Sequence, residues 1–315
     1  MSSVELYDKK IKLALETLAG KPTEANYALL AGCYIDAAGA GAANGDWKTF
    51  FDCLKCVELM SLRSKFYNNL IVNKVIALCV KNRNTLQESE VVDSLFDLVV
   101  NLDYNGDSTR RHNLFSAFHW FSKFWRGYLD FCDWWDFSNF RAEDFTFKDK
   151  RDSLAESAYI AYSRRVANHA VAEYTFDFYI DFIDKRLSNV FTVYADYHIA
   201  TFMLRVGFDY KDVLRAYRSY IKLKHHKPWS WTTLSHLFTE DSVERQACVL
   251  FAQECEGIAD LPQESDLDYR KICHDMFAGI DDPDRDFWLH VRTKLMETKA
   301  CGKWTERKKH KRKKN

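Results

Sequence analysis

Apolar side chains recur at helical spacing along almost the whole of this 315-residue chain. The clearest run steps by four and three residues and consists of Leu114, Phe118, Phe121, Trp125, Tyr128 and Cys132. Only four prolines and 11 glycines interrupt such patterns, while Phe, Trp and Tyr make up 15% of the residues. Scarce helix breakers and abundant large apolar residues predict long helices that pack closely together, including one continuous helix through this run.

No segment shows convincing strand periodicity. The best candidate, residues 98–102 (LVVNL), closes a helical pattern that begins near Ser89. Short breaks, among them residues 39–45, separate the predicted helices, and short links make consecutive helices antiparallel. Some segments look like degenerate tetratricopeptide units, but no repeat of about 34 residues persists. We therefore predict an all-α fold: an irregular tetratricopeptide-like (TPR-like) α-solenoid or antiparallel helical array with a disordered basic C-terminal tail.

The charge is distributed unevenly along the chain. Residues 303–315 contain eight Lys or Arg and one Glu, a formal charge of +7. The remaining residues carry a formal −7, because the whole chain has 45 basic and 45 acidic residues. Such a short cationic run cannot build a core, and it usually contacts an anionic partner or stays solvated.

Three segments follow from these patterns. We predict an N-terminal helical array over residues 1–136, a C-terminal array over 137–302 and the tail over 303–315, with one continuous solenoid as the alternative for the first two. No apolar run approaches the ~20 residues that cross a bilayer, and nothing resembles a secretory signal. Nine thinly spread cysteines fit free thiols in a reducing compartment. We expect a cytoplasmic protein, or a nuclear one if the host is eukaryotic.

Patterns that would indicate an enzyme or a metal site are weak. Cys53-x-x-Cys56 lacks the second ligand pair of a zinc site, so packed thiols are the favoured interpretation. Arg164 and His169 match the Arg-x4–6-His spacing of helical ribonucleases, although chance alone produces such matches here. Asp177, Asp181 and Asp184 share one helix face, for which a solvated surface is favoured over a divalent-ion site. We predict no metal site and no cofactor, and the low-ranked catalytic candidates are Arg164 and His169.

The basic tail is the first candidate binding site, and basic residues next to an aromatic one form a second, smaller candidate. Lys222, Lys224 and Lys227 surround His225 and His226, just before Trp229. Cationic and aromatic side chains together suit single-stranded nucleic acid. The candidate anion-binding residues of the tail are Arg307, Lys308, Lys309, Lys311, Arg312, Lys313 and Lys314.

Two Trp-rich stretches carry a resemblance to a known family. They are residues 131–145, which contain FCDWWDF and NFRAEDF, and residues 227–234, KPWSWTTL. They resemble the tetratricopeptide-like helical proteins found beside tellurite-resistance and phage-conflict genes in bacteria, over about residues 115–300. This chain has Asp136 where glycine is commoner in the family, and it lacks a fused barrel module. The resemblance implies a role beside nucleic-acid-binding modules and supplies no catalytic residues.

These observations predict a non-enzymatic helical-repeat scaffold that binds a protein or peptide partner, in a stress-response or conflict system. The basic tail would contact RNA or DNA or steer association, and no membrane insertion is expected. The alternatives are an RNA-binding protein and a helical ribonuclease that uses Arg164 and His169.

Overall fold

The computed structural model describes residues 3–61, 63–82, 89–102, 108–146, 152–166, 171, 173–190, 193–257 and 268–302. These residues form fifteen α-helices and two short 3-10 helices, and they contain no strand. The predicted all-α fold is therefore confirmed. The solenoid form stays a prediction, and residues 303–315 lie outside the described part of the chain.

The chain divides into two compact units, Met1–Phe140 and Arg141–Asn315. The predicted boundary after residue 136 and the alternative of one continuous solenoid both stay predictions. The helices of the N-terminal unit are α1 (Ser3–Gly20), α2 (Glu24–Ala43), α3 (Trp47–Met60), α4 (Lys65–Lys81), α5 (Ser89–Asn101), α6 (Ser108–Ser122) and α7 (Tyr128–Trp135), followed by a 3-10 helix at Phe137–Asn139. The C-terminal unit consists of a 3-10 helix at Ala142–Phe145, α8 (Leu154–Val166), α9 (Glu173–Leu187), α10 (Val193–Arg205), α11 (Tyr210–Lys224), α12 (Pro228–Ser235), α13 (Val243–Cys255), α14 (Tyr269–Asp275) and α15 (Arg285–Ala300).

In the N-terminal unit, α2 packs against α1, α3 and α4. The predicted break at residues 39–45 is too long, because α2 continues through both glycines to Ala43. A Cβ on Gly41 would lie 2.9 Å from the carbonyl oxygen of Asp46, so glycine at this position allows α3 to start directly beside α2. Asp46 then caps α3 by accepting a hydrogen bond from the Thr49 N–H at 3.0 Å.

The apolar run from Leu114 to Cys132 spans two helices, and the prediction of one continuous helix is wrong. Between α6 and α7 the Trp125 indole donates a hydrogen bond from Nε1 to Asp93 at 2.8 Å. The ring also occupies the space of the absent Gly127 side chain, since a Cβ there would lie 2.4 Å from the indole. The helical spacing of the apolar residues continues across the break between α6 and α7, because both helices bury their aromatic residues in the same core.

In the C-terminal unit, α15 packs against α9, far away along the chain. Its buried face consists of Phe287, Trp288, Val291 and Leu295, which recur at helical spacing. This contact with α9 also involves the acidic residues described below.

Asp136, which stands where the resemblance places a glycine, has a positive φ of 61°. Its carboxylate accepts a hydrogen bond from the Ser138 N–H at 2.9 Å, which offsets part of the strain.

We expect Asp136→Ala to lower the free energy of unfolding by about 1–2 kcal/mol, because it loses the cap and keeps the strain. Asp136→Gly loses the cap but relieves the strain, so it should be about 1 kcal/mol more stable than the alanine variant. Urea unfolding of both variants checks this order, and equal losses would contradict it.

Candidate nucleic-acid interface

The link between α11 and α12 is short and has a defined backbone. Helix α11 ends at Lys224, and Pro228 occupies the first position of α12, where its missing N–H costs nothing. Lys227, the residue before this proline, is extended with φ −102° and ψ 124°. The chain therefore turns at His225 and His226, which are both exposed.

Buried side chains of α12 donate hydrogen bonds to the backbone carbonyl groups of this turn. Trp231 donates from Nε1 to the His225 carbonyl at 2.5 Å, and Ser230 donates from Oγ to the Lys224 carbonyl at 3.1 Å. The Tyr217 hydroxyl donates to the Ser230 carbonyl at 2.9 Å. Trp231 is itself only 4% exposed. Because the carbonyl groups are bonded inward, the side chains of the turn project outward.

The solvent-facing side of the turn carries the partly exposed indole of Trp229, with lysine side chains nearby. Trp229 is 48% exposed, and its Nε1 donates to the Tyr220 hydroxyl at 2.8 Å. The ammonium of Lys227 lies 5.6 Å from the centre of the Trp229 ring, and that of Lys224 lies 5.2 Å from the Tyr194 ring. We call Lys224, His225, His226, Lys227 and Trp229 the α11–α12 surface.

The structure separates Lys222 from the other predicted lysines. Its ammonium contacts both carboxylate oxygens of Asp282, at 2.5 and 2.7 Å, and Arg218 contacts the same carboxylate at 2.9 Å. These contacts, the Lys222 hydrogen bond first, hold the pKa of Asp282 below its usual range. In the described residues neither Lys224 nor Lys227 forms an ion pair, and each ammonium lies over an aromatic ring instead.

Electrostatics at the turn disfavour extra positive charge at neutral pH. Desolvation lowers the pKa of His226, and the charges of Lys227, His225 and Lys224 lower it further. The surface therefore carries the two lysine charges at neutral pH, and His226 adds charge only under acidic conditions.

Of the predicted catalytic pair only Arg164 lies within the described residues, and none of the basic tail does. Arg164 is exposed near the end of α8. Its charge is close enough to help lower the pKa of His198, for which burial is the larger cause. His169 and the basic residues of the tail lie outside the described residues, so the ribonuclease hypothesis and the tail contacts stay predictions.

Two of the three acidic residues in the stripe of α9 contact cations of α15. Arg292 forms a two-bond pair with Asp184 at 2.6 and 3.1 Å, and Lys299 lies 2.7 Å from Asp177. Asp181 accepts a hydrogen bond from the Tyr159 hydroxyl. The stripe is therefore a docking face for α15 rather than only a solvated surface. Across the described parts of the chain, no group of three or more His, Cys, Asp or Glu could hold a metal ion.

Cys53 and Cys56 of α3 are free thiols, the first buried and the second half-buried. Burial raises the pKa of the Cys53 thiol to about 11, and nearby Cys56 adds to the shift. A thiol with a raised pKa is a poor nucleophile at neutral pH, so Cys53 is not favoured as a reactive thiol.

Two buried polar groups on α10 were not predicted from the sequence. Asp196 is 1% exposed and pairs with Arg186 of α9 at 2.5 Å, and His198 is 5% exposed. Burial lowers the pKa of His198 to about 3. Both groups sit among apolar residues at helical spacing, and a polar residue on an apolar stripe is the signal that would have identified them.

Comparison with models of known protein families, with curated proteins and with solved structures finds no match. The resemblance to the tetratricopeptide-like proteins of bacterial conflict neighbourhoods therefore stays an expectation from the sequence. Among the helices of the described residues, none is long and apolar enough to cross a membrane.

Proposed function

We propose that this chain is a non-enzymatic helical protein that binds single-stranded nucleic acid at the α11–α12 surface. The observation that carries the proposal is Trp229: an indole left 48% exposed, yet fixed in place by its hydrogen bond to Tyr220. A fixed, solvent-facing aromatic ring offers a surface on which an unpaired base can stack at little entropic cost.

The contrast with Trp231 supports a binding role. Two residues away, Trp231 is 4% exposed and packs at 4.5 Å from the ring of Phe251. One tryptophan of the Trp-x-Trp motif therefore belongs to the core, and the other is presented at the surface. Trp229 leaves about half of its ring in water beside the lysines of the surface, and this combination supports a functional interpretation.

The lysine side chains of the α11–α12 surface are positively charged, as binding to a phosphate backbone requires. Lys224 and Lys227 lie against aromatic rings, at 5.2 and 5.6 Å from their centres, and keep their ammonium groups free of carboxylates in the described residues. Lys222 is paired with Asp282 instead. Phosphates placed beside the two unpaired lysines would leave a neighbouring base within reach of Trp229.

The proposal is tested by titrating a fluorescent single-stranded RNA with the full chain and with a chain that lacks residues 303–315. In both backgrounds Trp229→Ala should weaken binding by about 5- to 150-fold, the loss of one stacked base. Lys227→Ala should reduce the slope of log affinity against log salt by about 0.7. The RNA should stay intact on a gel, whereas cleavage that depends on Arg164 and His169 would favour the ribonuclease alternative.

Two variants serve as matched controls. Tyr210 is another exposed aromatic residue of the same unit, at 50%, and Tyr210→Ala should leave the affinity unchanged. Lys222→Ala removes a lysine that is already paired with Asp282 and should change the salt slope less than Lys227→Ala. Unchanged RNA binding when the tail is removed and Lys224, Lys227 and Trp229 are all replaced by alanine would refute the assignment.

A protein-binding scaffold is the second candidate function, and the surface of the N-terminal unit favours it. Leu13 of α1 and Leu29 of α2 are 65% and 53% exposed, and such apolar side chains are typical of helix-binding surfaces. A pull-down with and without nuclease treatment separates the two candidates. A protein retained after nuclease treatment supports the scaffold, and one that is lost is bridged by nucleic acid.

A further inference from the structure

A cleft of about 230 Å³ opens in the N-terminal unit where the end of α2 meets α3 and α4. Its floor is apolar and includes Ala42, Leu78 and Phe50, the last of which is fully buried. Two lysines of α4, Lys74 and Lys81, line the same cleft. They are seven residues apart, about two helical turns, and therefore lie on one side of α4.

Neither lysine has an acidic partner in the described part of the chain, although other cations of this unit do. Lys48 pairs with Asp52 at 2.7 Å, and Arg63 pairs with Glu24 at 3.5 Å. Lys74 is half-buried as a residue, and its ammonium has no counter-ion in the described residues. An anion bound beside it would supply one.

The last carbonyl groups of α2 have hydrogen-bond donors other than these lysines. Its last carbonyl groups accept hydrogen bonds from the backbone, since the Asn44 N–H donates to Ala40 at 3.1 Å and the Asp46 N–H donates to Gly41 at 2.9 Å. The unbonded carbonyl groups of a helix end would be the obvious partners for a nearby ammonium. In the described residues no hydrogen bond joins Lys74 to these carbonyl groups, so its donors remain available to a ligand.

Gly39 makes room for the ammonium of Lys74. A Cβ built on Gly39 would lie 2.3 Å from Nζ of Lys74, well inside contact distance. By contrast, a Cβ on Gly32 of the same helix would meet nothing within 4 Å. The glycine at position 39 therefore allows Lys74 to lie against α2 at the edge of the cleft.

We propose that this cleft binds a small organic carboxylate, with its apolar body on the floor and its carboxylate between Lys74 and Lys81. The apolar floor favours a ligand with a hydrocarbon part over an inorganic anion. The volume of about 230 Å³ is below the usual range of about 300–1,000 Å³ for drug-sized ligands. A short aliphatic chain or a single ring fits this size.

Titration of the full chain with hexanoate, followed by calorimetry or by NMR chemical shifts, tests the proposal. We expect saturable binding. Hexanamide should bind at least about tenfold more weakly because it lacks the negative charge that pairs with the lysines, and inorganic phosphate should do so because it has no apolar part to contact the floor. Lys74→Gln and Lys81→Gln should each weaken hexanoate binding by about tenfold and leave the circular dichroism spectrum unchanged. Lys55→Gln, on the exposed side of α3, controls for the loss of one positive charge.

The glycines provide a second, independent comparison. Gly39→Ala should weaken hexanoate binding by displacing Lys74, and Gly32→Ala should leave it unchanged. The proposal is overturned by equal affinities for hexanoate and hexanamide, by phosphate binding as tightly as hexanoate, or by the absence of saturable binding. Full binding by Lys74→Gln would also overturn it, because that lysine would then play no part.

Discussion

Replacing Arg186 with methionine is expected to lower the free energy of unfolding of the C-terminal unit by about 3–5 kcal/mol. Arg186 donates to both carboxylate oxygens of Asp196, at 2.5 and 3.4 Å, and the Asp196 side chain is 1% exposed. Methionine retains an unbranched apolar side chain near the ring of Trp288, over which the guanidinium now lies at 5.5 Å. The main loss is therefore the counter-ion of a buried carboxylate.

Urea unfolding followed by tryptophan fluorescence measures this loss, and an exposed ion pair of the same unit provides the control. Arg292 and Asp184 keep 33% and 45% of their side-chain surface exposed. Arg292→Met should therefore cost no more than about 1 kcal/mol, because water screens the pair. The double variant Arg186→Met with Asp196→Leu should recover much of the stability, since it leaves no unpaired charge. Similar losses for Arg186→Met and Arg292→Met would contradict the assignment of Asp196 as a buried ion.

The loss caused by Arg186→Met should also depend on pH. Burial raises the pKa of Asp196, and Arg186 opposes this shift, so removing Arg186 raises the pKa further. The folded variant then binds a proton more tightly than the unfolded chain, whose aspartate pKa is about 3.9. Its deficit relative to the wild type should therefore shrink as the pH falls toward about 4.

The helical class of the fold was predictable because the aromatic residues recur at helical spacing and few residues break helices. Breaks that depend on tertiary contacts were not predictable in the same way. The spacing from Leu114 to Cys132 continues across two helices, because the turn at Trp125 and Gly127 keeps both aromatic faces in one core. Conversely, Gly41 looks like a break in the sequence but lies inside α2, where the absence of a Cβ allows close packing against Asp46.

The candidate site was predictable in composition but not in geometry. Lys222, Lys224 and Lys227 look equivalent in the sequence, and only the position of Asp282, far along the chain, shows that Lys222 is paired. Trp229 and Trp231 also look alike, and their different burial depends on the direction in which α12 starts after the turn. The partners of the acidic stripe on α9 lie on α15, so no local pattern indicated them.

The second large effect is a pH dependence of stability that arises from His198. Burial, and then the charge of Arg164, lower its pKa to about 3 in the folded chain, whereas an unperturbed histidine has a pKa of about 6.5. Between these two values the unfolded chain binds a proton that the folded chain does not. Stability from this group is therefore complete above about pH 6.5 and is lost as the pH falls toward 3, at about 1.4 kcal/mol per pH unit and roughly 5 kcal/mol in total.

His198→Phe should remove this dependence, because phenylalanine fills a similar space and does not titrate. The measurement is the difference in free energy of unfolding between wild type and variant at pH 7, 5.5 and 4, which cancels the contributions of the other titrating groups. The difference should shift in favour of the variant by about 1.4 kcal/mol for each pH unit below about 6. His290→Phe, at an exposed position of α15, controls for replacing a histidine with phenylalanine outside the core. A difference that stays constant with pH for His198→Phe would mean that His198 takes up a proton as readily in the folded chain as in the unfolded chain. That outcome would require a partner for its charge inside the core, where an isolated ion is too costly to persist.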